Sequence, residues 1–323
     1  MTKAIRVHIP GGPDSMLWED VPTPEPGPGE ALVRHAAVGL NYIDVYFRTG
    51  LYKAPSLPMT IGMEGAGTVL AIGSGVTDVA VGDRVAYAGA LGAYATERVL
   101  GADKLVKIPE GVDFTTAAAM MLQGMTAQYL LRRTYQVKAG DPIVVHAAAG
   151  GVGLILCQWA KHIGATVIGV VSTAEKAALA KAHGAAHAVV GYGDLVAAVK
   201  RITGGAMVPV VYDSIGKDTF NTSMDCLAPL GLMCCYGAAS GPIPPIDISI
   251  LGAKGSLFLT RPSLATYTVK RSDLVATAGE LFDVVKSGAV KINVNQTFAL
   301  KDAAAAHIAL ESRKTTGSTV LIP

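Results

Sequence analysis

The chain has 323 residues, half of them hydrophobic and only 16% charged, which is too long for one ordinary core and suits two domains. Its 27 basic and 25 acidic side chains leave a formal charge of +2, too little to gather nucleic acid or an acidic membrane surface. The 37 glycines, against 6% aromatic residues, fit the tight turns and close backbone approaches of an α/β fold.

In chain order, the first part reads as β-rich. Strands are expected at residues 4–9, 31–38, 65–72, 84–87 and 93–99, with turns at Gly73-Ser74-Gly75 and Val81-Gly82-Asp83. The proline-rich run from Val21 to Gly29 can be neither helix nor central strand. Residues 115–131, rich in Ala, Met and Leu, read as a helix.

From Gly140 the rhythm changes to apolar strands alternating with helices, the pattern of a parallel sheet. Strands are expected at 143–147, 166–171, 187–190, 208–213, 231–236 and 256–260, and helices at 151–163, 174–183, 195–202 and 218–227. With right-handed crossovers these form a doubly wound dinucleotide-binding, Rossmann fold. After Arg261-Pro262 the alternation stops. Helices at 274–286 and 301–311 and strands at 297–300 and 319–322 make a tail expected to return to the first domain. The expected division is therefore a β-rich domain over 1–122, a Rossmann domain over 123–262 and a returning segment over 263–323.

The longest low-charge stretch, 143–160, is broken by His146, three glycines and Gln158, and is short for a membrane span. The first ten residues carry Lys3 and Arg6 but no apolar targeting run. Cys157, Cys226, Cys234 and Cys235 form no Cys-x-x-Cys pair, so they read as free buried thiols of a reducing, cytoplasmic compartment.

The sharpest motif is Ile143-Val144-Val145-His146-Ala147-Ala148-Ala149-Gly150-Gly151-Val152-Gly153. A strand runs into a small-residue turn that opens a helix, where backbone N–H groups can face a pyrophosphate. Gly150 and Gly151 permit the approach, Val152 lies between the glycines, and Gly153 lets helix and strand pack closely. His146 reads as a satisfied core histidine. In an NAD-binding fold the next strand ends in Asp or Glu, which accepts from the ribose 2′-hydroxyl. Here Ser172-Thr173 follows Val171, with Lys176 close by. Hydroxyls and an ammonium suit a 2′-phosphate, so NADPH is the expected cofactor; Thr173 can also cap the following helix, and Glu175 is an unfavourable neighbour.

Further motifs extend along the chain: Gly39-Leu40-Asn41-Tyr42-Ile43-Asp44-Val45-Tyr46-Phe47-Arg48-Thr49-Gly50, Gly62-Met63-Glu64-Gly65-Ala66-Gly67, Gly92-Ala93-Tyr94, Val211-Tyr212-Asp213-Ser214 and Thr260-Arg261-Pro262-Ser263-Leu264. With the phosphate turn, they resemble the zinc-free, zeta-crystallin-like NADPH:quinone oxidoreductases of the medium-chain dehydrogenase/reductase superfamily. The resemblance implies a GroES-like catalytic domain beside the Rossmann domain, with the reaction in a cleft between them. It also implies no metal. Zinc-containing relatives carry Cys where this chain has Asn41 and His where it has Met63, and no Cys precedes position 157.

By the same resemblance, Ser172, Thr173, Lys176, Tyr192 and Arg313 would surround the 2′-phosphate and adenine. Thr126, Ser214, Gly237, Phe258, Leu259 and Thr260 would approach the nicotinamide half. The acceptor wall would include Asn41, Tyr46, Tyr52 and Arg261, with Asn41 donating to the acceptor oxygen or to the nicotinamide ribose. Tyr46 and Tyr52 would polarise a carbonyl. Asp44 and Glu64 are expected to pair with Arg rather than to act in catalysis. Quinones and α,β-unsaturated carbonyls are electrophilic enough to need little activation, and both stand as substrates. A nucleotide- or RNA-binding crystallin-like role is the non-enzymatic alternative, opposed by the near-neutral charge. Strands 231–236 and 256–260 are apolar and near a sheet edge, so a homodimer is expected.

Overall fold

The computed structural model describes residues 1–323 and divides into two compact units. Met1–Met125, Thr268–Lys286 and Ile292–Pro323 form the first. Thr126–Tyr267 and Ser287–Lys291 form the second.

The first unit begins with strands β1 (Thr2–Val7), β2 (Met16–Val21) and β3 (Glu30–Leu40), helix α1 (Tyr42–Thr49), strands β4 (Met59–Thr60), β5 (Glu64–Ile72), β6 (Arg84–Ala88), β7 (Glu97–Gly101) and β8 (Val106–Lys107), and helix α2 (Phe114–Tyr129), whose last residues already belong to the second unit. Long β3 is the spine: β5 and β7 pair with it antiparallel. Its core includes Val33, Val38, Leu40, Val69, Val85, Tyr87 and Tyr94, all at most 2% exposed, where apolar side chains leave water most completely.

One local expectation is corrected, and two elements are added to those expected. The strand expected at 93–99 starts only at Glu97. Gly92 turns with φ of 115°, and the amides of Ala93 and Tyr94 bond the loop carbonyls of Gly62 and Ile61 instead of a ladder. β2 was not anticipated, because it is a sheet edge whose Leu17 and Trp18 face solvent. Helix α1 was not anticipated either, although its signals are local. Asp44, the third helical residue, accepts the Asn41 backbone N–H at 2.9 Å, half of a capping box, and Gly50 closes the helix at φ of 81°.

The second unit contains β9 (Pro142–His146), α3 (Gly151–Ile163), β10 (Thr166–Val171), α4 (Ala174–Ala182), β11 (His187–Val190), α5 (Leu195–Ile202), β12 (Val208–Asp213), α6 (Phe220–Asp225), β13 (Leu227–Cys235), α7 (Ser249–Ala253), β14 (Phe258–Thr260) and α8 (Leu264–Tyr267). The six strands are all parallel in the order β11-β10-β9-β12-β13-β14, the doubly wound Rossmann arrangement. β9, β10 and β12 are buried on both faces, so each reads as an unbroken apolar run. Strand β13 lies inside the sheet between β12 and β14, so of the two segments expected near an edge only β14 forms it.

The chain then returns to the first unit with α9 (Arg271–Lys286), β15 (Val294–Ala299), α10 (Ala303–Glu311) and β16 (Ser318–Ile322). β16 pairs antiparallel with β3, Thr319 opposite Leu40. Between α9 and β15, Gln158 of α3 holds Lys291 as a strand partner would, donating to its carbonyl at 3.0 Å and accepting from its amide at 2.9 Å.

Candidate functional site

In the second unit the order reverses between β9 and β12, and ligands of open α/β sheets bind beyond the strand C-termini at such a switch point. β9 ends at His146, and Ala147 then takes a left-handed φ of 49°. Gly150 caps α3, and the first intrahelical bond runs from Leu154 N–H to the Gly150 carbonyl at 2.8 Å. The amides of Gly151, Val152 and Gly153 precede that bond and so lack a partner within the helix, which leaves them to an anion at its N-terminus. Gly153 permits the packing: a Cβ there would stand 2.2 Å from the Ala147 carbonyl oxygen and 2.8 Å from Ala148 Cα.

Below this turn is a polar cluster that sequence reasoning missed. Asp213, fully buried at the end of β12, accepts from the amides of Ile215 and Gly216 at 2.7 and 3.1 Å and from the hydroxyls of Thr219 and Ser223 at 2.7 Å each. With its hydrogen given to Asp213, Ser223 Oγ accepts from His146 Nε2 at 2.9 Å. That fixes the tautomer and leaves His146 Nδ1 without a partner. His146 is therefore only half satisfied, a correction to the expectation. Its pKa is lowered by burial, against the attraction of Asp213.

Ser172 and Thr173 are exposed beyond β10, and Lys176 is partly buried in α4. Thr173 Oγ1 caps α4 by accepting from Lys176 N–H at 3.3 Å. Its hydroxyl also bonds Glu175, holding that carboxyl below its ordinary range. Tyr192 is half-buried, its ring 5.9 Å from that of His146. Arg313 is exposed in the other unit, where its charge acts on Tyr42.

At the ends of β12 to β14, Ser214, Gly237, Thr260 and Arg261 come together. Ser214 bonds Tyr236, and a Cβ on Gly237 would lie 2.4 Å from the Ser214 carbonyl oxygen. Thr260 is in register with Cys234. The Arg261 guanidinium donates to the carbonyls of Cys235 and Gly237 at 2.8 and 3.0 Å, so one of its nitrogens is committed to holding the end of β13. Phe258 and Leu259, at the start of β14, are 60% and 38% exposed. Thr126 is buried in α2.

In the first unit the chemistry gathers around Asn41, which is 5% exposed. Asn41 Nδ2 donates to Glu64 Oε2 at 2.7 Å, and Asn41 Oδ1 accepts from Gln123 Nε2 at 3.2 Å. Glu64 Oε1 accepts from Leu122 N–H at 2.7 Å, and Ser318 Oγ lies 2.7 Å from Gln123 Oε1. Neither Glu64 nor Asp44 pairs with Arg, contrary to expectation. Arg48 instead grips Glu311 at 2.8 and 2.9 Å and reaches Asp44 only through His307 and Tyr94. Burial, unrelieved by a cation in contact, pushes Glu64 up to about 8 and Asp44 up to about 7. The ring of Tyr46, on α1, meets that of Tyr52 in a tilted contact, with centroids 5.2 Å apart and an interplanar angle of 57°, and Tyr46 is 9% exposed.

The donor chemistry here does not fit zinc. An Asn41 amide and a Met63 thioether are not zinc ligands, no three His, Cys, Asp or Glu side chains gather anywhere in the chain, and all four thiols are buried in the second unit.

A six-stranded parallel sheet with a glycine turn after β9, joined to a second, β-rich unit, is the architecture of the medium-chain dehydrogenases and reductases. Comparison agrees: the alcohol dehydrogenase GroES-like domain matches residues 27–136, and the zinc-binding dehydrogenase family matches 151–282. A quinone oxidoreductase of Pseudomonas aeruginosa is 52% identical over 325 residues, spanning 100% of both chains. A 2-haloacrylate reductase of Burkholderia is 47% identical over 332 residues, covering 100% of this chain and 99% of that one. The crystal structure of Escherichia coli quinone oxidoreductase complexed with NADPH matches with a TM-score of 0.97 at 47% identity, covering 100% of both chains. The chain belongs to the quinone oxidoreductase family of these oxidoreductases.

Proposed function

We propose that the protein is an NADPH:quinone oxidoreductase that works without a metal. The observation that carries this reading is a glycine turn with no room for a Cβ at Gly153, followed by a strand whose end offers Ser172 in place of a carboxylate. Gly150, Gly151, Val152 and Gly153 would hold the pyrophosphate. Ser172 and Lys176 would meet the 2′-phosphate, helped by Thr173, Tyr192 and Arg313. Thr126, Ser214, Gly237 and Phe258–Thr260 would line the nicotinamide half. When bound, NADPH supplies the hydride. Asn41, Tyr46, Tyr52 and Arg261 would orient the acceptor and offer hydrogen bonds to the oxygen on which charge develops.

Reduction of an α,β-unsaturated carbonyl is the second reading, favoured by the 47% identity to a 2-haloacrylate reductase. Steady-state turnover with NADPH and with NADH, against a panel of quinones and enones, separates the two. The expected result is quinone reduction, with NADPH favoured on the order of a hundredfold, the equivalent of two charge-assisted hydrogen bonds. Activity with enones alone would transfer the assignment to the second reading. Equal rates with both nucleotides would remove the role of Ser172 and Lys176.

The protein would act in the cytoplasm as a homodimer. Support for the dimer comes from β14, an open sheet edge carrying exposed Phe258 and Leu259. Light scattering is expected to give twice the chain mass; a monomer at micromolar concentration would refute the pairing.

A further inference from the structure

Asn41 is an interior link of a hydrogen-bond chain that can run in two directions. From one end it reads Glu64 Oε2, Asn41, Gln123, Ser318, Ala119. The two amides are the interior links, and the oxygen and nitrogen of an amide are close to interchangeable in shape. The end links are amphoteric. Ser318 Oγ has a single hydrogen and two acceptors within reach, Gln123 Oε1 at 2.7 Å and the Ala119 carbonyl at 3.0 Å. Glu64 accepts as a carboxylate and donates as a carboxylic acid.

With Glu64 ionised, Asn41 Nδ2 donates to Glu64, Gln123 Nε2 to Asn41 Oδ1, and Ser318 to Gln123 Oε1. With Glu64 protonated on Oε2, its O–H donates to Asn41 Oδ1 after a half-turn of that amide. Asn41 Nδ2 then donates to Gln123 Oε1, Gln123 Nε2 to Ser318 Oγ, and the Ser318 hydroxyl to Ala119. Every link is satisfied in both directions, and the Leu122 N–H bond to Glu64 Oε1 is kept throughout.

We infer that Glu64 is a positioning residue: its proton sets the direction of this chain, and so whether the nitrogen or the oxygen of the Asn41 amide faces Glu64 and on which side the second, unshared Asn41 N–H is left for the acceptor. The inference rests on the reading above that Asn41 serves the reacting acceptor. Glu64 is fully buried. The charges and titratable groups around it are Asp44 from α1, Tyr87 from β6 and Tyr94, with His35 and Arg98 bonded to the Tyr87 hydroxyl and Arg48 and His307 behind Tyr94. None of these is a cation in contact with Glu64, so nothing compensates its charge. Hydride arrival builds negative charge on the acceptor oxygen, and an ionised Glu64 beside Asn41 opposes it. The protonated direction is the productive one.

The test is the pH profile of kcat for Glu64→Gln, whose amide is neutral and donates to Asn41 Oδ1 at every pH. Wild-type kcat is expected to fall on the order of tenfold on the alkaline side, with an inflection near pH 8, the value to which burial raises Glu64. The variant is expected to match wild type within about twofold at pH 6 and to stay flat above it. An alkaline limb kept in Glu64→Gln, or an equal loss at every pH, would overturn the inference. Should the variant fail to fold, infrared titration of wild-type protein with isotope-labelled glutamate carboxyls reads Glu64 directly. A protonated glutamate band that vanishes near pH 8 is expected, and its absence at pH 6 contradicts the switch. Absence of quinone turnover in wild type would instead sink the functional reading, while the infrared result stands on its own.

Discussion

Gly153→Ala is expected to weaken NADPH binding by at least about a hundredfold and to destabilise the fold by roughly 1–3 kcal/mol, as overpacking does. The added Cβ would stand 2.2 Å from the Ala147 carbonyl oxygen, 2.8 Å from Ala148 Cα and 2.9 Å from the Ala147 carbonyl carbon. All three are backbone atoms of the turn itself, so no side chain can move aside to relieve the contact. The start of α3 must back away from the end of β9, and the free amides of Gly151 to Gly153 go with it. Gly150→Ala separates packing from binding, because its Cβ would meet only the Ala147 carbonyl oxygen, at 3.2 Å: the fold is expected to stay close to wild type in stability while the added methyl still crowds the pyrophosphate. Fluorescence titration with NADPH, alongside thermal unfolding, measures both effects. A Gly153→Ala protein that binds within about threefold of wild type would show that the turn is not where the pyrophosphate lies.

Ser172→Asp is expected to lower kcat/KM for NADPH by a hundredfold or more and to change that for NADH by less than about threefold. The new carboxylate would sit at the exposed end of β10, where a 2′-phosphate would be repelled and a 2′-hydroxyl accepted. Thr173 contributes less to the discrimination than the sequence suggests, because its hydroxyl is occupied by the Lys176 amide and the Glu175 carboxyl. Two remaining charge-assisted contacts, at roughly 1.5–3 kcal/mol each, account for a change of this size. Parallel loss with both nucleotides would mean that Ser172 shapes the turn rather than reading the phosphate.

What the sequence made legible follows from how local each signal is. The buried strands β9, β10 and β12 are continuous apolar runs because both sheet faces are covered, and the glycine turn is a contiguous pattern. Helix α1 was equally local: Asn41, Asp44 and Gly50 hold the cap and stop positions. β2 was hidden because an edge strand with Leu17 and Trp18 exposed has no clean alternation. The setting of Asn41 was out of reach for another reason. Glu64 lies 23 residues from Asn41, Gln123 lies 82 from it, and Ser318 a further 195 from Gln123. Only the pairing of β3, β5 and β16 with the passage of α2 brings them into one cluster. The same distance effect misled the reading of Asp44 and Glu64: the Arg48 guanidinium, on the same helix as Asp44, is claimed by Glu311 from the far end of the chain.

The most direct measurement is the oxidation of NADPH by a quinone in protein stripped of metal with a chelator. Undiminished turnover, with one NADPH consumed per quinone reduced and NADH far slower, is the result the account requires. Activity that disappears on stripping and returns with zinc would contradict it, because the Asn41 amide and Met63 thioether leave no set of ligands through which that zinc could act.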